Sequence, residues 1–277
     1  MQMSVLPVSY FSAITSGKKS IGDWAKEGTA LGLDGIDISI LFLRERDRES
    51  LRMFRRDVEA EDIQINGAST YPDFTHPDAA ERSRQKELFH LDLRALHEVG
   101  TRIVRITAGQ AHPGLNRKDG ITWALDGILG AVDSAEHFGI QLVFENHAKP
   151  GVWEFPDFDF PSDIFLELAD RLKSTPVKIQ FDTANPIAYG DNPLYILDHV
   201  IDRIAVVHAS DTKETGRLVP SVIGKGLVPF GKILGLLKNN GYDGWISIEE
   251  ASGTGTAGVR TAVEFIRNCW EGENNDQ

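Results

Sequence analysis

Residues 140–150 read IQLVFENHAKP. A mainly apolar run from Ile140 to Phe144, preceded by Gly139 and followed by Pro150, has the length and composition of a β-strand buried on both faces. It then runs straight into Glu145, Asn146 and His147. Burying an unpaired charge is costly, so a strand that ends on a carboxylate, an amide and an imidazole needs partners gathered at that end. The rest of the chain must supply them.

The same pattern recurs. Strand-length runs are read at LPVSYF (6–11), GIDIS (35–39), IQINGAS (63–69), RIVRITA (102–108), IQLVFE (140–145), VKIQFD (177–182), RIAVVH (203–208) and WISIEE (245–250). Between them lie segments with helical spacing of apolar residues, such as RQKELFHLDLRALHEVG (84–100) and VRTAVEFIRNCW (259–270). Gly32, Gly100, Gly139 and Gly241 stand where a helix must turn back toward the next strand. Eight strand–helix units predict an α/β protein, a single (β/α)₈ TIM barrel over residues 1–270, with 271–277 as a flexible tail. An open doubly wound sheet also alternates strands and helices, so the count does not decide between them. The strand ends do.

Composition narrows the function classes. The formal net charge of −12 argues against a nucleic-acid footprint. The arginine-rich stretches RERDRES (44–50) and RMFRRD (52–57) alternate with acids and read as one solvated helix face. A single cysteine, Cys269, permits no intrachain disulfide and no thiolate metal site, and is expected to be buried on the last helix. No apolar run approaches membrane-spanning length and no basic leader opens the chain, so a reducing, cytoplasmic location is expected.

Four runs finish on a metal-ligating residue: Glu145, Asp182, His208 and Glu249. In a parallel barrel the C-terminal strand ends meet at one rim, where active sites of this fold are built. Alternation supports a common register. With these four pointing inward, Gln141, Val143, Gln180, Val206 and Ser247 also point in, and Leu142, Phe144, Ile179, Phe181, Ile246 and Ile248 face the helices. Three carboxylates brought together repel one another, and a divalent cation relieves the conflict. Oxygen donors with one imidazole suit Mn²⁺ best in our reading, with Mg²⁺, Co²⁺ or Zn²⁺ as alternatives.

The stretches LVFENH, IQFDTANP, VVHASD, IGKGLVPF and WISIEE, in this order, resemble the sugar phosphate isomerase/epimerase superfamily of xylose isomerase-like barrels, which includes ketose 3-epimerases, inosose dehydratases and endonuclease IV. The resemblance implies one divalent metal held by Glu145, Asp182, His208 and Glu249, with Glu145 and Glu249 doubling as acid and base. It further implies proton transfer beside the carbonyl of a small sugar or keto-sugar, through a metal-stabilised enediolate. Isomerase or epimerase activity is the first expectation. A lyase that removes water from a keto-cyclitol or keto-sugar, and a non-catalytic sugar-binding barrel, are the alternatives. No nucleic-acid or membrane partner is implied, and a homo-oligomer is compatible.

The family often carries histidine three residues after the metal-binding aspartate, and here that position is Asn185. A three-metal nuclease site is thereby disfavoured, and Asn185 becomes a candidate sugar contact. Arg217, His147, His112 in AGQAHPG and Trp153 in the aromatic insert KPGVWEFPDFDFP are further candidate substrate contacts, and Asp211 a candidate orienting residue behind the ligands. GTGTAG (253–258) matches a dinucleotide-binding pattern, but only one helix follows it, so it reads as a loop.

Overall fold

In the computed structural model, residues 1–149 and 151–272 are described. Eight parallel strands form one sheet: β1 (Gln2–Val5), β2 (Gly35–Ser39), β3 (Gln64–Ser69), β4 (Ile103–Ile106), β5 (Gln141–Glu145), β6 (Lys178–Asp182), β7 (Ile204–Ala209) and β8 (Trp245–Ile248). Their order, β1-β8-β7-β6-β5-β4-β3-β2, follows the chain around a nearly closed barrel with helices between the strands. The seam between β1 and β2 is closed by other means. Asp34 exchanges hydrogen bonds with Met3, its carboxylate accepting from the Met3 N–H at 2.8 Å and its own N–H donating to the Met3 carbonyl at 3.0 Å.

Inside the barrel, Asp37 of β2 accepts from Ser4 Oγ (2.8 Å), Asn66 Nδ2 (3.1 Å), the Gly67 N–H (2.9 Å) and Ser247 Oγ. One buried carboxylate thus ties β1, β2, β3 and β8 together and leaves no bare charge in the floor. On the outer face, Phe144 stacks on Phe165 of helix Ser162–Arg171 with centroids 5.4 Å apart. Leu142, Ile179, Phe181, Ile246 and Ile248 are buried with it. Val143, Gln180, Val206 and Ser247 are likewise buried, while Gln141 sits half-exposed at the start of β5 and donates to the Pro176 carbonyl at 2.7 Å.

The first strand lies earlier than the sequence predicts. LPVSYF (6–11) is not a strand: β1 ends at Val5, Val8–Tyr10 form a 3₁₀ turn, and Phe11–Thr15 a short helix. Pro7 has no N–H for the ladder and stops the strand just before it. Of the arginine-rich stretches, only the part from Arg48 on is helical: helix Arg48–Glu59 buries Leu51 and Val58 and leaves its charges in water. Residues 44–46 lie before the helix, and Asp47 caps it by accepting from the Glu49 and Ser50 N–H groups. Gly32, Gly100, Gly139 and Gly241 all have positive φ, between 65° and 90°. Cys269 is buried on the closing helix Thr256–Glu271. The tail expected over 271–277 falls, from residue 273 on, outside the described residues, and no described helix is long and apolar enough to cross a membrane.

Candidate metal centre and active site

The ladder register brings the strand-end residues to one rim. Asp182 and His208 are direct neighbours across β6 and β7. Gln180 stands beside Glu145 and Ser247 beside His208, so Glu145 and Glu249 flank the Asp182–His208 pair from β5 and from the end of β8. The Glu249 N–H continues the ladder by donating to the Ala209 carbonyl at 2.9 Å. Each of the four offers a ligand atom, and these atoms lie within 4.8 Å of one another.

His208 Nδ1 lies 2.7 Å from Glu145 Oε1 and 3.0 Å from Glu249 Oε2, so one buried imidazole is ion-paired with carboxylates from β5 and from the end of β8. Three carboxylates whose ligand atoms lie this close together around an imidazole repel one another unless a proton or a cation is shared among them, and oxygen donors with one imidazole suit a divalent cation. Burial alone would lower the pKa of His208, but the Glu145 and Glu249 carboxylates outweigh it and hold it well above the usual histidine range. Burial raises Asp182, and the charges of Glu145 and Glu249 add to this, pushing it up to about 7. Glu145 goes the other way: despite complete burial, His208 and Arg105 hold it far below the usual carboxylate range. The residues present fit a divalent cation.

Behind the ligands is a layer that fixes them. Gln180 Nε2 donates to Glu145 Oε1 at 2.9 Å, and Arg105 Nε lies 3.1 Å from Glu145 Oε2. Asp182 Oδ1 accepts from the Ala184 and Asn185 N–H groups at 2.9 and 2.8 Å, and Ser210 Oγ reaches both of its oxygens. Asn146 clamps β5 to β6, accepting from the Asp182 N–H at 2.8 Å and donating to its carbonyl at 2.9 Å. Arg105 and Asn146 were not among the sequence candidates. The signal was available for Arg105: it stands between Val104 and Ile106 in a run whose alternation turns it inward.

Above the cluster is a cavity of about 70 Å³ lined by His147, Asp182, Asn185, Ser210, Leu218 and Glu249, among others. The structure therefore brings two of the candidate contacts, Asn185 and His147, to the ligands. Asn185 Nδ2 donates to the Asn146 carbonyl at 3.0 Å, and His147 Nδ1 is held by the buried Asp157 at 2.5 Å. Asp211 lies on the same cavity and organises the loop that follows β7: its carboxylate accepts from the N–H groups of Thr212, Gly224, Gly226 and Val228.

The other candidates lie elsewhere. Arg217 is exposed and paired with Glu214 three residues before it, at 2.9 Å, and does not line the cavity. His112 is held by Asp73 at 2.7 Å and packs against Phe155, so it fastens the loop after β5 to the loop after β4. Trp153 lines a neighbouring groove rather than the cavity over the cluster. Lys225 sits in the loop tied down by Asp211. GTGTAG leads into the last helix, where Gly258 packs so tightly against Glu250 that a Cβ there would come within 2.9 Å of its carboxylate.

An eight-stranded parallel barrel with three carboxylates and one imidazole converging at its C-terminal mouth defines a TIM barrel with a group of four side chains that could hold a metal ion. The chain belongs to the xylose isomerase-like TIM barrel family, whose model matches residues 25–269. It is 24% identical over 248 residues to an inosose dehydratase of Bacillus thuringiensis (strain Al Hakam), covering 78% of this chain and 80% of that protein. Its fold is that of a D-tagatose 3-epimerase-like protein (TM-score 0.76, 18% identity, 98% and 97% of the two chains). It is also that of the IOLI protein crystallised with a zinc atom (TM-score 0.75, 16% identity, 98% of each chain).

Proposed function

We propose that this protein is a divalent-metal-dependent isomerase or epimerase of an uncharged sugar or sugar-like ketone, acting by proton transfer beside the carbonyl. The observation that carries the reading is the convergence of Glu145, Asp182, His208 and Glu249, whose ligand atoms lie within 4.8 Å of one another at the barrel mouth. The names of its relatives, an inosose dehydratase and a tagatose epimerase-like protein, point to the same substrate class. When bound, the cation polarises a carbonyl and stabilises the negative charge that develops on its oxygen; Mn²⁺ is the ion we expect. Glu249, the more exposed glutamate, takes the proton from the carbon beside the carbonyl. Glu145, ionised in the resting site on the far side of the Asp182–His208 pair, first accepts the hydroxyl proton of that carbon and then returns it to the other face, and Glu249 passes its own proton to the alkoxide left behind. Arg105 and Gln180 keep Glu145 oriented for that exchange, and Asn185 offers its amide oxygen to a sugar hydroxyl.

Two features favour an unphosphorylated substrate. Barrels of this type commonly hold phosphate at the N-terminus of a helix near the last strands. Here the buried carboxylate of Glu250 already lies against the first turn of the last helix, fixed by Ser9 Oγ and the Ser252 N–H. Charge balance agrees, because three carboxylates, one buried arginine and a divalent ion sum to zero. The lone buried cysteine fits a cytoplasmic enzyme.

The test is deuterium uptake at carbon, followed by NMR in D₂O, for D-fructose, D-tagatose and an inosose with the Mn²⁺-loaded protein. We expect exchange that is lost on chelation and falls by about 10²–10⁴ in Glu249→Gln, with sugar binding retained. Absence of exchange with every ketone sinks the reading. A second reading, elimination of water, is favoured by the dehydratase relatives and by His147. Asp157 pins its Nδ1 and leaves Nε2, on a residue that lines the cavity, to serve a leaving hydroxyl. An enone absorbance growing in step with substrate loss would select it.

A further inference from the structure

Among the loops that follow β2, β3 and β5 lies a groove of about 300 Å³. Tyr71 after β3, Leu41 after β2, Leu88 of helix Ala79–Glu98 and Trp153 of the β5 loop form its walls, and Arg46 and Asp92 stand on its edge. The groove communicates with the metal cluster through side chains in contact. The Arg105 guanidinium lies 4.9 Å from the centre of the Tyr71 ring and its Nε is 3.1 Å from Glu145.

The chemistry of the lining is that of a carbohydrate site. Tyr71 and the largely buried Trp153 contribute aromatic rings of the kind that pack against the C–H face of a pyranose, and Leu41 and Leu88 add apolar lining. Arg46 Nη1 bonds one oxygen of Asp92, which leaves the other carboxylate oxygen and the remaining guanidinium nitrogens without partners among the described residues. A free acceptor beside free donors suits a pair of adjacent hydroxyls. The ion pair carries no net charge, so it does not select for an anion. The volume is at the lower end of small-molecule sites, roughly 300–1,000 Å³.

We infer that this groove is a subsite for a second, uncharged sugar ring, and that the substrate is a keto-sugar bearing a glycosidically linked ring. The ketone is presented to the metal ligands and the appended ring rests between Tyr71 and Trp153. The inference rests on the proposed sugar-ketone chemistry of the neighbouring cluster and adds to it the size of the substrate.

The test compares D-fructose with three disaccharides that contain a fructose unit, lactulose, maltulose and isomaltulose, in the same deuterium-exchange assay with Mn²⁺-loaded protein. We expect kcat/KM for at least one disaccharide to exceed that for fructose by tenfold or more. Leu88→Trp, which fills the groove from the outer helix, and Asp92→Ala, which removes the hydroxyl acceptor, should each lower the disaccharide-to-fructose ratio at least fivefold. If fructose exchanges as fast as every disaccharide, the subsite is refuted while the proposed reaction stands. If no ketone exchanges, the proposed reaction fails and the subsite is judged by binding. Saturation transfer from the protein to the non-reducing ring, lost in Leu88→Trp, then supports it, and no transfer to that ring overturns it.

Discussion

Arg105 and Glu145 form a buried ion pair directly under the metal ligands, with side chains 4% and 0% exposed. Arg105 Nη1 also donates to the Thr70 carbonyl at 3.0 Å. Removing one member of such a pair leaves a charge stranded in low dielectric and costs about 3–5 kcal/mol. Arg105→Met should therefore lower the urea midpoint of the metal-free protein strongly, and Mn²⁺ should recover much of the loss, because the cation neutralises the stranded Glu145. A variant as stable as wild type without metal would show that the pair is not what holds Glu145 in place. At this scale the strand-end cluster was legible because a period-two strand fixes side-chain direction: once Asp182 and Glu249 point in, Gln180 and Ser247, two residues before them, must too. His112 and Arg217 were not legible. Their side chains are claimed by Asp73 and by Glu214, and which partner wins depends on loop geometry that residue spacing does not encode.

The elements that shape the site are loops held by single side chains. Asp211 accepts four backbone N–H groups from the loop after β7, a segment that brings Leu218 and Pro220 to the cavity wall. Gly226 is required there, since a Cβ would lie 2.3 Å from Asp211 Oδ1. Asp211→Ala frees four amides, each costing about 1–3 kcal/mol where it stays buried without a partner. The loop should open instead. We expect KM to rise about tenfold with a smaller change in kcat, and trypsin to cut at Lys213, Arg217 or Lys225, all exposed on this loop, faster than in wild type. Unchanged proteolysis would assign the anchoring to other contacts, such as Thr212 Oγ1 with Val219. The strands were readable as elements because each is a short apolar run between turn residues. The first was misplaced because LPVSYF is equally apolar whether extended or coiled, and the choice is made by β8, which pairs with Gln2–Val5. That partner lies more than 200 residues away, and the one local signal, Pro7, marks where the strand ends without showing that Gln2–Val5 is the strand.

Across the whole molecule, the ionisation of the cluster ties folding to metal. Asp182, raised by burial and by Glu145 and Glu249 to about 7, contributes stability that is full below the unfolded carboxylate value of roughly 4 and is lost as pH climbs through 7. His208, held up by the same carboxylates against the effect of burial, loses its contribution in the same direction. Glu145, kept low by His208 and Arg105 despite its burial, and Glu249, kept low by His208, act oppositely and lose theirs only on acidification. The metal-free protein should therefore be most stable in mild acid and weaken toward pH 8, with Asp182 alone accounting for about 2 kcal/mol between pH 5.5 and 8. A divalent cation takes over the neutralising role of that proton and removes the penalty. The difference in Tm between Mn²⁺-saturated and chelator-treated protein should then widen by about 4–8 °C over this range, measured by calorimetry at matched ionic strength. A difference that stays flat, or narrows, as pH rises would mean that Asp182, His208 and the two glutamates do not share one cation.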